Sequence, residues 1–447
     1  MISAIARAQV RARGLRHRVR DESEVLPEDL ARLDASWTIS CSLSLIDPVC
    51  GADFQNEHLL LALKAGEPRR LLRALTLEAS YAATPGRGAE QRTESLLSVA
   101  QSLVRESTDE AALGLLNLAR GLVEYLLGRN ANSLPLFREA LECFQERCTG
   151  AIWETMSAQR FVIASLFFLG RLRELGEIVP QILAQSEGRT TRYTTVCFCS
   201  AYSTLAWLAR DDVAEAERHL GMAREHCNSD SFHLPHFNLL VGDTYFDLYR
   251  DEPLTALRRI IELWPAIERS QLLRVGVLRV QLWHLRGTAA ALAASVLEQR
   301  GEAREGKRLR AEALLAAERL KDESIPRATP LGSMIAAAVA SSLGNDTVAR
   351  GHLHDAMLEF GRQDMSIFEA AARVRFGALS DSEPGRTMMR EGFARFQHER
   401  VKNPARLLNV FAPGFSSHRQ HLFAEAQAAR ALLSPSEAKL AVSEPVL

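Results

Sequence analysis

Residues 301–307, GEAREGK, match the spacing of a phosphate-binding loop, G-x4-G-K. In such a loop the backbone N–H groups surround the phosphates, and a Ser or Thr after the lysine holds magnesium. Here Arg308 follows Lys307, and the preceding residues have the pattern of a helix instead of a strand. Gly301 and Gly306 also have places in a structural repeat described below. We therefore interpret this motif as structural and predict no bound nucleotide.

Three pairs of potential metal-binding side chains stand close together in the sequence: His233 and His236, His352 and His354, and Cys197 and Cys199. A zinc site needs three or four ligands that converge on one point. The members of the second and third pairs are two residues apart, so on a helix their side chains point in different directions. The first pair flanks Pro235 at an expected helix start, and no third ligand accompanies it. We interpret the histidines as exposed or helix-capping and predict no metal site.

Protein kinase chemistry requires an H-R-D-x4-N catalytic loop, a D-F-G motif and a lysine on a strand. The sequence contains none of these, and its nearest approach to D-F-G is Asp53-Phe54-Gln55, with Gln where Gly is needed. Ser, His, Asp and Cys occur along the chain, but their spacing singles out no catalytic triad. We therefore predict that this chain alone is not an enzyme, has no catalytic residues and binds no cofactor.

Six arginines near the N-terminus could bind phosphates or anionic lipid: Arg7, Arg11, Arg13, Arg16, Arg18 and Arg20. Acidic Asp21, Glu22 and Glu24 follow directly, and no aromatic residues are interleaved with the arginines. The whole chain is balanced, with 54 Lys+Arg against 55 Asp+Glu, so it has no strong general attraction for polyanions. We predict a solvated surface here, with neither a nucleic-acid nor a membrane partner.

The sequence lacks the features of secreted and membrane-spanning proteins. No stretch approaches the roughly 18 consecutive apolar residues of a transmembrane helix, and the arginine-rich start has no apolar signal-peptide segment. The seven cysteines are an odd number without a C-x2-C pair, which argues against a disulfide framework and a zinc ribbon. We expect reduced, mostly buried thiols in a cytoplasmic protein.

The elements that would position these side chains belong to a repeat. Six turn residues between expected helices recur at spacings of 42, 41, 40, 50 and 43 residues: Gly128, Gly170, Asp211, Asp251, Gly301 and Gly344. Hydrophobic residues make up 47% of the chain but aromatic residues only 6%, a composition that favours close packing of helix on helix. A period near 40 residues indicates stacked helical hairpins.

The second helix of each hairpin carries a small-x3-large-x2-small pattern typical of tetratricopeptide (TPR) hairpins. Ser133, Phe137 and Ala140 form the first example, and Gly121, seven residues before the turn, falls where a small residue allows close helix approach. The other examples, of which the first and fourth are looser, are Leu175-Val179-Ile182, Ala216-Leu220-Ala223, Ala256-Ile260-Leu263, Gly306-Arg310-Ala313 and Ala349-Leu353-Ala356. The match to the TPR consensus is partial, because Asn117 stands where Trp is usual and the repeat exceeds 34 residues.

We predict an all-α superhelical array (an α-solenoid) of roughly eighteen helices, at about two helices per 40 residues. Breaks between helices are expected at residues 47–48, 66–68 and 84–88. The predicted segments are a basic N-terminal linker or helix at 1–25, an N-terminal helical segment at 26–105, TPR-like hairpin repeats at 106–380, C-terminal capping helices at 381–415 and an Ala-rich, partly disordered tail at 416–447.

Several stretches resemble the C-terminal helical region of large bacterial serine/threonine protein kinases, of the type found in myxobacteria and planctomycetes. They are RGL at 13–15, RDE at 20–22, GADFQ at 51–55, HLLLALKAGEP at 58–68, RALTLEA at 73–79, VKNPAR at 401–406 and APGF at 412–415. The resemblance covers nearly the whole chain, from about residue 2 to residue 415. In that family a kinase and an AAA-like ATPase precede the helical array, and both are absent here.

The resemblance implies a regulatory or sensor role in kinase–ATPase signalling, without supplying a catalytic residue. The leading hypothesis is a non-catalytic module that recognises a protein or peptide in a concave groove, with a kinase or ATPase as a possible partner. The alternative is a C-terminal fragment of a kinase whose catalytic domains are encoded upstream, because Met1 lies within what resembles the linker after the ATPase. A stand-alone TPR adaptor and the sensor of a transcription regulator are weaker alternatives.

Overall fold

The computed structural model describes residues 10, 12–44, 47–86, 88–186, 191–227, 231–380 and 382–415. All regular structure in these ranges is helical: 20 α-helices, three short 3-10 turns, one π turn and no strand. The all-α prediction is therefore confirmed. The tail predicted at 416–447 lies outside the described residues, as do Arg7 and Arg11.

The N-terminal helices begin and end where turn-forming residues require it. Three of the first four helices start at a proline, whose missing N–H costs nothing in the first turn of a helix. The expected breaks at residues 47–48, 66–68 and 84–88 are confirmed. Helices α1 to α4 are Pro27–Ser44, Pro48–Ala65, Pro68–Ala83 and Glu90–Arg105.

The predicted hairpins follow in chain order, and three terminal helices end the described chain. Helices α5 to α11 are Glu110–Leu126, Asn130–Glu142, Ile152–Leu169, Leu172–Ser186, Arg192–Cys199, Thr204–Leu208 and Val213–His226. Helices α12 to α17 are Leu234–Tyr249, Pro253–Arg269, Gly276–Gln299, Ala303–Lys321, Ala328–Ser342 and Asp346–Arg362. Helices α18 to α20 are Ser366–Ala378, Glu383–His398 and Pro404–Phe411.

All six predicted turn residues have a left-handed backbone, with φ between 56° at Asp211 and 84° at Gly301. After each of them the next residue donates its N–H to the carbonyl oxygen five positions back, over 2.8 to 3.0 Å. This is the hydrogen bond of a Schellman motif, which ends a helix and turns the chain for the next one. Asp364 and Arg400 make the same turn with φ of 55° and 56°, at two positions outside the six that the repeat predicts.

The small and large positions of the repeat pack as expected in most hairpins. Ser133, Phe137 and Ala140 are fully buried, and a Cβ added to Gly121 would lie 2.7 Å from the Phe137 ring. The assignment of Arg310 as a large core position is wrong. Its guanidinium forms an ion pair with Glu298 at the side of the helix, and Leu309 is the buried residue.

The described chain forms two compact units. Unit 1 comprises the described residues within 1–165, 229–236 and 265–279, and unit 2 comprises those within 166–228, 237–264 and 280–447. The apolar core of unit 1 is formed mainly by leucines and alanines of α2 to α5, such as Leu59, Leu75, Leu96 and Leu116. A core this poor in large rings suits helices that pack closely.

The core of unit 2 is aromatic where distant parts of the sequence meet. The Phe167 ring contacts Tyr202 and Tyr245 as well as Phe368 and Phe411 of the terminal helices, with centroid distances between 4.5 and 6.0 Å. Aromatic pairs at such distances contribute beyond the area they bury. The last helices of unit 2 therefore share a core with its first helices.

Hydrogen bonds also join the terminal helices to earlier turns of unit 2. The Ser366 hydroxyl donates to the carbonyl of Leu169 over 2.9 Å, and the Lys402 N–H donates to the carbonyl of Ala209 over 2.8 Å. Asp211, itself a turn residue, accepts hydrogen bonds from Asn403 and Arg406. The start of α18 and the region around the start of α20 thus contact two hairpin turns that lie far earlier in the sequence.

Candidate functional site

The phosphate-loop motif lies on a hairpin turn. Gly301 is the left-handed turn residue between α14 and α15, so a helix precedes the motif where a phosphate loop would have a strand. Gly306 is buried, and a Cβ at this position would lie 2.6 Å from the Glu298 side chain. Lys307 is exposed. Both glycines thus have the structural positions expected from the repeat.

The three metal-ligand pairs do not gather further ligands. In the described residues there is no group of three or more His, Cys, Asp or Glu side chains that could hold a metal ion. His236 instead accepts a hydrogen bond at Nδ1 from the His233 N–H over 3.1 Å, just before α12, as expected for a capping side chain. Cys197 and Cys199 are buried, and His354 is exposed on α17.

The D-F-G-like tripeptide and the basic N-terminal run are both part of the helical scaffold. Asp53, Phe54 and Gln55 lie in the middle of α2, where Gln55 donates to the carbonyl of Ala74 over 2.8 Å. The described side chains of the basic N-terminal run are largely exposed, as predicted. Its backbone is docked, since the Arg20 N–H donates to the carbonyl of Gly66 over 3.0 Å.

A cavity of about 530 Å³ in unit 1 lies between the N-terminal ends of α3, α5 and α7. We call it the α3–α5 cavity. Its volume falls within the range of small-molecule and side-chain pockets in proteins. Apolar side chains from five segments form much of its surface: Val19, Leu72, Leu103, Leu115 and Phe144.

Helix starts and a π turn position the walls of this cavity. Glu67 caps α3 by accepting from the N–H groups of Arg69 and Arg70, both at 2.9 Å. Asp109 caps α5 by accepting from the Ala111 N–H over 3.0 Å. After α6 a π turn, Cys143–Arg147, places Phe144 on the cavity, and such turns are common at functional sites.

Two carboxylates and one guanidinium at the cavity are available to pair with charged groups of a ligand. Glu106, Glu154 and Arg69 each line the cavity, and their side-chain charges have no ion-pair partner among the described residues. Arg73 is engaged, because it lies 3.6 Å from Asp34. The cavity can therefore bind an apolar group and offer hydrogen bonds and ion pairs at its edge.

Several apolar side chains of α1 and α7 near the cavity are exposed to solvent. Trp153 is 38% exposed and meets the Trp37 ring edge-on at 6.1 Å, and the guanidinium of Arg73 lies 5.6 Å from that ring. Ile152 is 65% exposed and Ile39 is 41% exposed. Exposed apolar side chains beside a cavity are typical of interaction sites.

The one thiol in the cavity is a poor nucleophile. Burial, followed by the neighbouring Cys143, raises the pKa of Cys148 to about 11. At neutral pH the thiol is therefore almost fully protonated, whereas the thiolate is the reactive form. The arrangement favours binding over covalent chemistry.

The sequence did not predict this cavity. Its lining comes from residues spread between Val19 and Glu154, and most of them lie at helix ends and in loops. The available signals were the Trp153-Glu154 pair at a helix start and the left-handed Gly150, with φ of 79°. Neither signal indicates a cavity without the packing of α3 beside α5.

Among the described residues, no helix is both long enough and apolar enough to cross a bilayer. No protein-family model matches the chain, and no curated protein matches its sequence. The chain is similar to a solved structure described as the crystal structure of the APC/C hetero-tetramer Cut9–Hcn1. The identity is 15% and the TM-score 0.46, over 93% of this chain and 74% of the other.

Proposed function

We propose that this helical-repeat protein is a non-catalytic recognition module that binds a segment of another protein at the α3–α5 cavity. The observation that carries the proposal is the cavity of about 530 Å³ beside the exposed Trp153 and Ile152. A bulky apolar side chain of the partner would enter the cavity. The polar groups of the same segment would meet Glu106, Glu154 and Arg69 at the edge.

The proposal is tested by selecting a displayed random-peptide library on the full chain and measuring the affinity of the selected peptide. Ala111→Trp places a ring at the cavity wall, whereas Leu113→Trp places the same ring on the same helix at an exposed position outside the cavity. We expect the first variant to lose about tenfold or more in affinity, as for a blocked central contact. The control should bind like the wild type.

Selected peptides that bind all three proteins equally would overturn the proposal, as would a selection that enriches no binder. Circular dichroism and thermal unfolding of both variants verify the fold. Ala111 is only half-buried, so the substitution leaves the helix core intact.

We further propose that the bound protein belongs to serine/threonine kinase–ATPase signalling. The support is the resemblance of residues 13–79 and 401–415 to the helical region of such kinases. Affinity purification from the native host with each of the three proteins tests this link. A kinase or AAA-type ATPase that co-purifies with the wild type and Leu113→Trp, but not with Ala111→Trp, would support it. Specific partners that include neither class would exclude it.

A further inference from the structure

A second groove in unit 1 runs along α4 and has a volume of about 790 Å³. We call it the α4 groove. It shares no lining residue with the α3–α5 cavity. Its apolar lining consists of Leu97 from α4, Val123 from α5, Leu127 directly after α5 and Leu136 from α6. Since α4 has 16 residues, a groove along it can extend about 24 Å, enough for a short peptide segment.

At the end of the groove nearest the Gly128 turn, the charges are largely matched within the protein. Arg129 lies 3.5 Å from both Glu90 and Glu124. Asn132 donates a further hydrogen bond to Glu124 over 2.9 Å. These groups hold one another in place, and with two carboxylates to one guanidinium this end offers an anionic segment no free cation.

Two other arginines line the same groove without such partners. Arg105 is the last residue of α4, and Arg120 lies within α5. Neither guanidinium has a hydrogen-bond or ion-pair partner within the part of the chain that the structure describes. Arg120 is half-buried, and a partly desolvated guanidinium with five donors is stabilised by an acceptor from a ligand.

We propose that the α4 groove binds an acidic amphipathic peptide segment of a partner protein. The apolar side chains of the segment lie on the leucines and valine of the groove, and its carboxylates pair with Arg105 and Arg120. A nucleic acid fits less well, because its charged backbone offers nothing apolar to the leucines and valine and cannot avoid Glu90, Glu94 and Glu124. An amphipathic segment can turn its carboxylates towards Arg105 and Arg120 alone.

The test is fluorescence anisotropy of the full chain with a labelled peptide of sequence LEELLEELLEEL. A second probe carries Lys in place of every Glu, and a third carries Ser in place of every Leu. We expect the first probe to bind at least about tenfold more tightly than either of the others, and to weaken as salt is added. Preference for the Lys probe, or equal binding of all three, would overturn the proposal.

Variants within the groove locate the binding. Arg105→Gln and Arg120→Gln should each weaken the first probe about threefold, and the double variant about tenfold, as for partly exposed ion pairs. Arg92→Gln is the matched control, since this arginine lies on α4 but does not line the groove, and it should change the affinity less than twofold. An unaffected double variant would contradict the proposal, as would displacement of the probe by oligodeoxythymidylate. None of these variants alters the α3–α5 cavity.

Discussion

At the scale of single residues, two buried histidines lie in surroundings that disfavour their protonation. His58 is 1% exposed, and its Nδ1 lies 3.1 Å from the side-chain oxygen of Gln55. Burial, followed by repulsion from Arg73, lowers its pKa to about 4. Burial likewise lowers the pKa of His284 to about 4. Both imidazoles are therefore neutral in the folded protein at pH values where free histidine begins to take up protons.

This difference predicts acid sensitivity. Since the folded-state pKa lies below the unfolded value of 6.5, the unfolded chain binds more protons between these two pH values. The stability contribution is complete above pH 6.5 and is lost as the pH falls towards 4, by up to about 3 kcal/mol for each histidine. His58→Gln should flatten this part of the curve of unfolding free energy against pH.

Denaturant unfolding at several pH values measures this effect. His354→Gln is the control, because that side chain is exposed on α17. If the pH dependence of His58→Gln equalled that of the wild type and of the control, the explanation by burial would be wrong.

At the scale of elements, the hairpins depend on small residues where two helices meet. Gly121 of α5 faces Phe137 of α6, and Ala140 is fully buried one turn further along α6. There is no space for a larger side chain at either position. The repeat pattern in the sequence therefore records helix packing.

Gly121→Leu and Ala140→Leu should each destabilise the protein by roughly 1–3 kcal/mol or more, because the added atoms overpack this interface. Thermal or denaturant unfolding measures the loss. Gly221→Ala in α11 is the matched control, since its added Cβ would meet no atom within 4 Å. That change should be neutral or stabilising by up to about 1 kcal/mol, because alanine favours helix. Equal stability of all the variants would refute the assigned register.

The sequence predicts the hairpins well because their determinants are local. A glycine or aspartate in the left-handed turn and, in the first hairpin, the small Gly121 seven positions earlier are visible without knowledge of distant contacts. The break at Ser200–Ala201 was missed because its determinants are not local. Ala201 has φ of 51°, and a Cβ on Gly242, 41 residues later, would lie 2.8 Å from its backbone nitrogen. The Asp364 and Arg400 turns carry no glycine signal either.

At the scale of the whole molecule, neither the cavity nor the packing of the terminal helices of unit 2 followed from the sequence. Both depend on which helices lie side by side, and hydrophobic periodicity gives the buried face of a helix without naming its neighbour. Helices α19 and α20 lie in the segment 381–415, for which the sequence predicts helices. The structure shows in addition that the terminal helices are hydrogen-bonded to the Gly170 and Asp211 turns.

Two glycine substitutions isolate this attachment. In both Gly170→Ala and Gly301→Ala the alanine must adopt a left-handed backbone, with φ of 72° and 84°, which costs about 1–2 kcal/mol. Only at Gly170 would the new Cβ also lie 2.5 Å from the Ile367 backbone nitrogen, whereas at Gly301 it meets nothing within 4 Å. We expect Gly170→Ala to be the less stable variant by a further 1–3 kcal/mol or so.

Hydrogen exchange should report the same difference locally. In Gly170→Ala the amides of α18 should exchange faster than in Gly301→Ala, because the contact between this helix and the α7–α8 turn is disturbed. Identical unfolding and exchange in the two variants would show that the terminal helices do not depend on this turn.

The central claim is that the chain recognises a protein segment at the α3–α5 cavity. Hydrogen–deuterium exchange of the full chain, with and without the selected peptide, tests it most directly because it maps the bound surface without any substitution. We predict slower exchange in residues 106–115 and 148–155, which form the cavity mouth, when the peptide is bound. Slower exchange confined to other helices, with these two segments unchanged, would contradict the claim.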